Sequence, residues 1–231
     1  MSIRTILAVI SVLAALLPLV IHVAMNTSVT RSLEISETDS DHSIQNQPAP
    51  TQDIGAIGHN KQCAGCDLTE VNWRGLDMSR ANLRGAQLQR ANLQGTKLIN
   101  AVLTGANLNQ SNLSQAHLYG ADLKTASLQD ANLENAQLLH ASLTNADLTD
   151  AVLDQIELRD ADLSAATLKN ASMQRASLYG AILREADLSG ANLNSADLRY
   201  ADLSDANLEG ADFTNARLDF AILPPNVPHL R

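Results

Sequence analysis

The chain has 231 residues, of which only 3% are aromatic, and a small set of residue types dominates it. Such a biased composition is typical of repeat proteins. The formal charge of −9 argues against nucleic acid as a partner, because a protein that follows a nucleic-acid backbone needs an excess of Lys and Arg. An acidic protein can nevertheless imitate DNA.

The N-terminal segment is strongly apolar. Thr5–Met25 is a stretch of 21 residues without a charged side chain, and Arg4 precedes it. It is long enough to cross a bilayer as one hydrophobic helix, and a cleaved signal peptide is the alternative. Residues 1–25 are therefore either an anchor, with membrane contact through 5–25, or a signal peptide. In both interpretations the rest of the chain is exported, because the positively charged Arg4 precedes the segment and stays on the cytoplasmic side.

The next segment, 26–60, is polar and acidic, contains prolines, and lacks periodic apolar residues. It is predicted to be a flexible linker, with its last ten residues as a candidate cap. The exported repeats would then lie outside the cytoplasm, in a periplasm or a thylakoid lumen.

A five-residue repeat dominates the rest of the chain. Cys66–Pro225 divides into 32 consecutive pentapeptides without insertion or deletion; the third position is Leu in 28 of them and the first is Ala in 26. A period of five would smear Leu around an α-helix and place it alternately on opposite faces of a flat strand. An extended triplet with its first and third side chains inward, followed by a two-residue corner, fits every unit. The pattern predicts an all-β solenoid over 61–225, with 226–231 as a tail.

The remaining unit positions suit tight corners. The second position is Asp or Asn in 17 of 32 units, and Gly is frequent at the fifth. Asp and Asn side chains accept hydrogen bonds from the nearby backbone in turns, and Gly tolerates demanding backbone angles.

The units also carry a family resemblance. Ala81–Gly85, Ala121–Thr125 and Ala201–Asp205, which read ANLRG, ADLKT and ADLSD, resemble the pentapeptide-repeat family. The resemblance implies a right-handed quadrilateral β-helix with four pentapeptides per coil. It would have about eight coils here, preceded by the hydrophobic N-terminal helix.

Two cysteines, Cys63 and Cys66, lie just before the first full unit and at its start. A disulfide at the cap is favoured, because the compartment is oxidising and both side chains would face inward. Buried thiols are the alternative. A zinc site would need His59 and a fourth ligand that the sequence does not supply.

The pattern predicts that the chain is not an enzyme. His117 and His140 fall at outward or corner positions, and no Ser or Cys nucleophile is paired with either. An interior filled with Leu and Ala leaves no cavity for a substrate or cofactor. We therefore expect no catalytic residues, no cofactor and no metal.

One outward edge of the predicted solenoid collects every tyrosine. We call it the Tyr edge; it mixes aromatic, aliphatic and Arg side chains, as interface cores do. The alternative is stacking that only stabilises adjacent coils. Its members at the fourth and fifth unit positions are Ile99, Tyr119, Leu139, Arg159, Tyr179, Arg199, Tyr200 and Phe220.

The repeat ends at Pro224 and Pro225, and only six residues lie beyond them. Proline cannot donate the next stacking hydrogen bond, so the last coil is thinly covered. Either the tail caps this end, or a second copy pairs with it head to head.

Two functions compete. The first is a non-catalytic scaffold on the outer side of a membrane that binds a protein partner, whose identity the sequence does not give. The second, from the family resemblance, is a DNA-mimicking binder of DNA gyrase that protects it from quinolones. Export disfavours the second, and so does the charge: 61–100 carries six bases and three acids, whereas 121–225 carries seven bases and seventeen acids.

Overall fold

The computed structural model describes residues 60–225 and 227. The predicted anchor or signal peptide, the linker up to residue 59, and the tail apart from Val227 lie outside the described residues. In the part of the chain that is described, no helix is long and apolar enough to cross a membrane.

The backbone stacks by single-residue parallel bridges. The second residue of each unit bridges to the residue 20 positions later, from Gln62 with Asn82 to Asp202 with Ile222. The described residues contain no longer strand and no helix, so only the central residue of each predicted triplet forms a bridge. Each unit thus lies against the fourth unit after it, and four pentapeptides make one turn of the solenoid.

Hydrogen bonds between coils follow the same register. The N–H of Leu83, at a third position, donates to the carbonyl of Val102 at 2.8 Å, and the N–H of Gly85 donates to Thr104 at 3.0 Å. The N–H of Asn82, at a second position, donates back to Lys61 at 2.9 Å. Every interior coil is therefore bonded to the coil on each side of it.

The corners are tight turns with a left-handed residue. Every fifth position from Gly65 to Phe220 has a positive φ, yet glycine fills only nine of these positions. The N–H of Ala86 donates to Leu83 at 3.0 Å across such a corner. This bond, together with positive φ at the third turn residue, is the pattern of a type II turn. Most corners therefore hold side chains in a conformation that glycine adopts more readily.

The backbone N–H of the residue at the fourth unit position explains why Asp and Asn are preferred at the second position. All 17 of these residues at second positions accept a hydrogen bond on Oδ1 from the N–H two residues later, at 2.9–3.4 Å. This N–H is the one that neither the turn nor the ladder uses. The short side chain thus satisfies a backbone donor that the corner would otherwise leave to solvent.

Two corners satisfy the same donor from a neighbouring coil. At Gln129 the N–H donates to Oδ1 of Asn109 at 2.9 Å, and at Gln174 it donates to Oδ1 of Asp154 at 2.9 Å. Both acceptors are 20 residues earlier, and each also accepts from a Ser hydroxyl at the second position. At Ser127 and Ser172 the bonding is thus shifted from within a coil to between coils.

The core is a column of third-position side chains surrounded by first-position alanines. From Leu83 to Leu203 these side chains are essentially inaccessible to solvent. Ile156, which replaces Ala at a first position, is also fully buried, and Glu157 beside it keeps both of its bridges. The larger side chain of Ile156 is therefore accommodated without a break in the ladder.

Candidate interaction surface

The Tyr edge combines exposed and half-buried side chains. Tyr119 is 47% exposed, Tyr200 is 50% exposed and Phe220 is 75% exposed. The remaining members are half-buried except Arg159, which is exposed. The 20-residue register places the fourth-position members one above another, because each lies one coil beyond the last.

Aromatic contacts along this edge form two separate groups. Tyr119 packs edge-on against His140, with ring centroids 5.4 Å apart. Tyr179 contacts Tyr200 at 5.2 Å, and Tyr200 stacks on Phe220 at 5.0 Å. Leu139 lies beside His140 in the first group, and Arg159 occupies the coil between the two groups. The stacking alternative therefore describes real contacts, but it leaves large ring surfaces open to solvent.

Arg199 is fixed at the centre of the second group. Its Nε and Nη2 donate to Oδ1 and Oδ2 of Asp197 at 2.8 and 2.6 Å, and its guanidinium lies 5.4 Å from the ring centre of Tyr179. Bonds from this side chain lower the pKa of Asp197 against the opposing effect of burial, and the same carboxylate raises the pKa of Arg199. A bidentate pair stacked on a ring holds the arginine in one orientation.

A shallow groove lies along the same edge. Its volume is about 370 Å³. Within it, Oε2 of Glu157 is shielded from solvent and receives no hydrogen bond from residues 60–225 or 227, and Nε of Arg159 lies 3.7 Å away. The groove therefore offers both an unused acceptor and a loosely paired cation. Its lining residues are Glu157, Arg159, Asp160, Ser177, Tyr179, Asp197 and Arg199.

Sequence reasoning missed the acidic side of the groove and two exposed isoleucines. Ile222 is 56% exposed and Ile182 is 40% exposed, both at outward second positions on the side next to Tyr200 and Phe220. The available signal was a β-branched apolar residue where most units carry a polar one. Ile222 follows Phe220 and extends the apolar surface beyond the predicted edge, whereas Asp202 lies between Ile222 and Ile182 in the bridge ladder.

The two cysteines are joined at the first corner. Their sulfur atoms are 2.00 Å apart and their Cα atoms 5.3 Å apart. Cys63 lies at a third unit position and is buried, whereas Cys66 lies at a first unit position and is half-buried. The bridge thus spans the corner from the inside.

The two histidines of the repeats have structural neighbours. Nδ1 of His117 lies 2.9 Å from Oε1 of Gln137 in the next coil, and His140 packs on Tyr119. Within 60–225 and 227, no three His, Cys, Asp or Glu side chains are grouped to hold a metal ion.

A solenoid of stacked five-residue units, with its side-chain chemistry confined to outer edges, defines a β-helical repeat protein. The family model for pentapeptide repeats matches in eight copies, and the chain belongs to the pentapeptide-repeat family. The matches cover 62–98, 86–124, 96–132, 126–164, 156–194 and 191–224. The family's fold is a right-handed quadrilateral β-helix, which the four-unit register fits. Its members are generally structural or interaction proteins and not enzymes.

Several solved structures are similar. HetL, a pentapeptide repeat protein involved in heterocyst differentiation regulation from the cyanobacterium Nostoc sp. strain PCC 7120, is 32% identical; the match covers 73% of this chain and 91% of HetL, with a TM-score of 0.25. A protein from the Arabidopsis thaliana thylakoid lumen is 30% identical over 43% of this chain and 70% of its own, with a TM-score of 0.23. QnrB1, a plasmid-mediated fluoroquinolone resistance protein, is 20% identical over 68% and 89%, with a TM-score of 0.38. No curated protein matches the chain.

Proposed function

We propose that this protein is a non-catalytic scaffold, displayed on the outer side of a membrane, that binds a protein partner through the Tyr edge. The observation that carries the proposal is the exposed aromatic surface of Tyr119, Tyr200 and Phe220 beside a groove with a fixed Arg199. Aromatic and Arg side chains are the residues that most often dominate the energy of protein interfaces. A second copy of the chain is one candidate partner, at the C-terminal coil.

Display outside the cytoplasm is supported by the N-terminal sequence. Thr5–Met25 is long enough to anchor or export the chain. A random coil of the length of 26–60 spans about 33 Å between its ends, enough to hold the repeats clear of a bilayer.

The alternative, a DNA-mimicking gyrase binder, has weaker support. A DNA mimic needs one sign of charge along its length, whereas the first coils are basic and the later coils acidic. Binding to gyrase would also require the repeats to lie in the cytoplasm, whereas the N-terminal segment predicts that they are exported.

A photo-crosslinking residue at position 119 tests the partner surface in cells. We expect a crosslinked protein that is lost when the half-buried ring of Tyr179 and the loosely paired Arg159 are replaced in the double variant Tyr179→Ser, Arg159→Ser. The matched control is Gln89→Ser with Gln129→Ser, which changes fourth-position residues on another side of the solenoid. Equal crosslinking in both variants would contradict the Tyr edge as the interface.

A reporter fused after residue 60 tests the location independently. We expect alkaline phosphatase activity, which requires export, and no activity from a reporter that works only in the cytoplasm. The opposite result would remove the display proposal and restore the gyrase alternative.

A further inference from the structure

The charges that line the groove on the Tyr edge do not balance. Three carboxylates and two guanidinium groups line it. Asp197 and Arg199 neutralise each other, because hydrogen bonds of 2.8 and 2.6 Å join them. The other charged groups of the lining are Glu157, Asp160 and Arg159. Two carboxylates and one guanidinium leave the groove with one excess negative charge.

Glu157 presents an unused acceptor to this groove. Its Oε2 is shielded from solvent, and no hydrogen bond reaches it from residues 60–225 or 227. The guanidinium of Arg159 approaches it only to 3.7 Å, which is beyond hydrogen-bond distance. A carboxylate oxygen that is removed from water without a donor costs free energy. A donor that enters the groove would recover that free energy.

The second carboxylate, that of Asp160, leans over a glycine of the next coil. A Cβ on Gly180 would lie 2.5 Å from Oδ1 of Asp160, so the missing side chain leaves room for the carboxylate. Asn100 and Asn170 approach glycines in two other corners in the same way, also at 2.5 Å. A neutral amide therefore suffices for this packing, and the corner does not need the negative charge of Asp160.

The ring of Tyr179 adds an apolar wall. It is half-buried, Tyr200 contacts it at 5.2 Å, and the guanidinium of Arg199 lies 5.4 Å from its centre. Long basic side chains bury their methylene stems against such surfaces while the charged end reaches a polar partner. The groove, of about 370 Å³, thus offers a surface for a stem and acceptors for a charged end.

We propose that the groove receives one positively charged side chain, an arginine or a lysine, from the protein that binds the Tyr edge. The inference rests on the proposed function, because it names the chemistry of that partner. One cation neutralises the groove and donates to Oε2 of Glu157, whereas an anionic or apolar side chain leaves this oxygen without a donor. The surrounding charge attracts such a partner, since 121–225 carries seventeen acids and seven bases.

Binding of short peptides to the purified full chain in a mild detergent tests the site directly. The probes are glycine peptides, blocked at both ends, with a central arginine, lysine or neutral citrulline. Nuclear magnetic resonance of the peptide measures each dissociation constant. We expect the better basic peptide to bind about tenfold more tightly than the citrulline peptide, and added salt to reduce the difference. The tighter of the two basic peptides identifies the residue that the groove prefers.

The matched variant is Glu157→Gln with Asp160→Asn, which removes both charges and keeps the shape of the side chains. Both replacements have precedents in the solenoid, since Gln137 lies one coil before Glu157 and two other corners place Asn over glycine. The control is Glu185→Gln with Asp205→Asn, which removes two exposed charges on another edge. We expect the first variant to weaken binding of the basic peptide by about tenfold and the control by less than about twofold.

Equal binding of the basic and citrulline peptides would overturn the inference. Equal losses in the two variants would do the same, because they would show a response to net charge alone. Crosslinking from position 119 separates this failure from that of the proposed function. A crosslinked partner that persists in the Glu157, Asp160 variant would remove the basic anchor and keep the Tyr edge as the interface. Peptide binding without any crosslinked partner would remove the interface and keep the groove as a site for a cation.

Discussion

The two ends of the solenoid solve the same problem differently. Any stack of coils has a first and a last member with one uncovered face. At the N-terminal end Trp73 and Met78 take the place of Leu, the disulfide spans a corner, and Lys61 contacts Asp77 at 3.1 Å. At the C-terminal end ordinary units run on to a double proline, and the column stays half open.

One repeat sequence therefore does not fix how an array ends. Units around Leu138 and units around Leu218 obey the same pattern, yet the first lies in a filled column and the second at its exposed end. Burial, and with it the cost of a substitution, depends on the number of coils beyond a residue.

The largest expected effect comes from placing a charge in the column at these two positions. Leu138→Asp buries an unpaired carboxylate between two coils and should cost more than about 4 kcal/mol, enough to abolish cooperative melting. Leu218→Asp should cost only about 1–2 kcal/mol, because its carboxylate can reach water at the open end. Thermal unfolding followed by circular dichroism compares them, and equal losses would refute the difference between the ends.

The next effect concerns the disulfide at the closed end. A disulfide across so short a loop lowers the entropy of the unfolded chain and thereby stabilises the fold by about 2 kcal/mol. The double variant Cys63→Ser, Cys66→Ser should therefore have a lower melting temperature. Reductant should lower the melting temperature of the wild type and leave that of the variant unchanged. Insensitivity of the wild type to reductant would favour the buried-thiol alternative.

A pair of glycines tests how closely neighbouring coils approach at their corners. Gly85 and Gly120 have φ values of +62° and +61°, but a Cβ at Gly120 would lie 2.5 Å from Oδ1 of Asn100, whereas a Cβ at Gly85 meets nothing within 4 Å. Gly85→Ala should cost about 1 kcal/mol for the left-handed backbone, and Gly120→Ala should cost more. Adding Asn100→Ala should bring the Gly120→Ala loss down to the Gly85→Ala value in chemical denaturation.

The smallest effect is a dependence of stability on pH. Burial raises the pKa of Asp162, but hydrogen bonds from the side chain and backbone of Ser164 and from Thr144 lower it by more than burial raises it. The pKa of Asp162 therefore lies below the ordinary value of 3.8. The stability that these hydrogen bonds to the ionised carboxylate give the folded protein is fully present above pH 3.8. It is lost as the pH falls through the lowered pKa of Asp162. Asp162→Asn keeps the acceptor oxygen without the titration, so its stability should fall less steeply in acid.

The control for this titration is Asp205→Asn, since the Asp205 side chain accepts no hydrogen bond from the described residues. Its acid unfolding curve should match that of the wild type. A shift as large as that of Asp162→Asn would mean that overall charge, and not the corner bond, sets the acid response.

Much of the fold could be predicted from the sequence because the repeat has a single structural solution. The buried first and third positions follow from Ala and Leu alone, and the 20-residue register follows from the family resemblance. The bonding at Gln129 and Gln174 could not be predicted, since it depends on a side chain 20 residues earlier.

The candidate site was predicted in part. Folding onto a 20-residue coil correctly places Tyr119 one coil beyond Ile99 and brings Arg199 over Tyr179. The pairing of Arg199 with Asp197 and the groove beside Glu157 were missed, because side-chain orientation is set by neighbours in the adjoining coils.

The amino-acid sequence dictates a five-residue period, an apolar column and polar corners, because each is a local preference repeated 32 times. The closed N-terminal end and the open C-terminal end emerge only when the coils are stacked in three dimensions. Closure depends on what lies above and below a coil, and no unit carries that information within its own five residues.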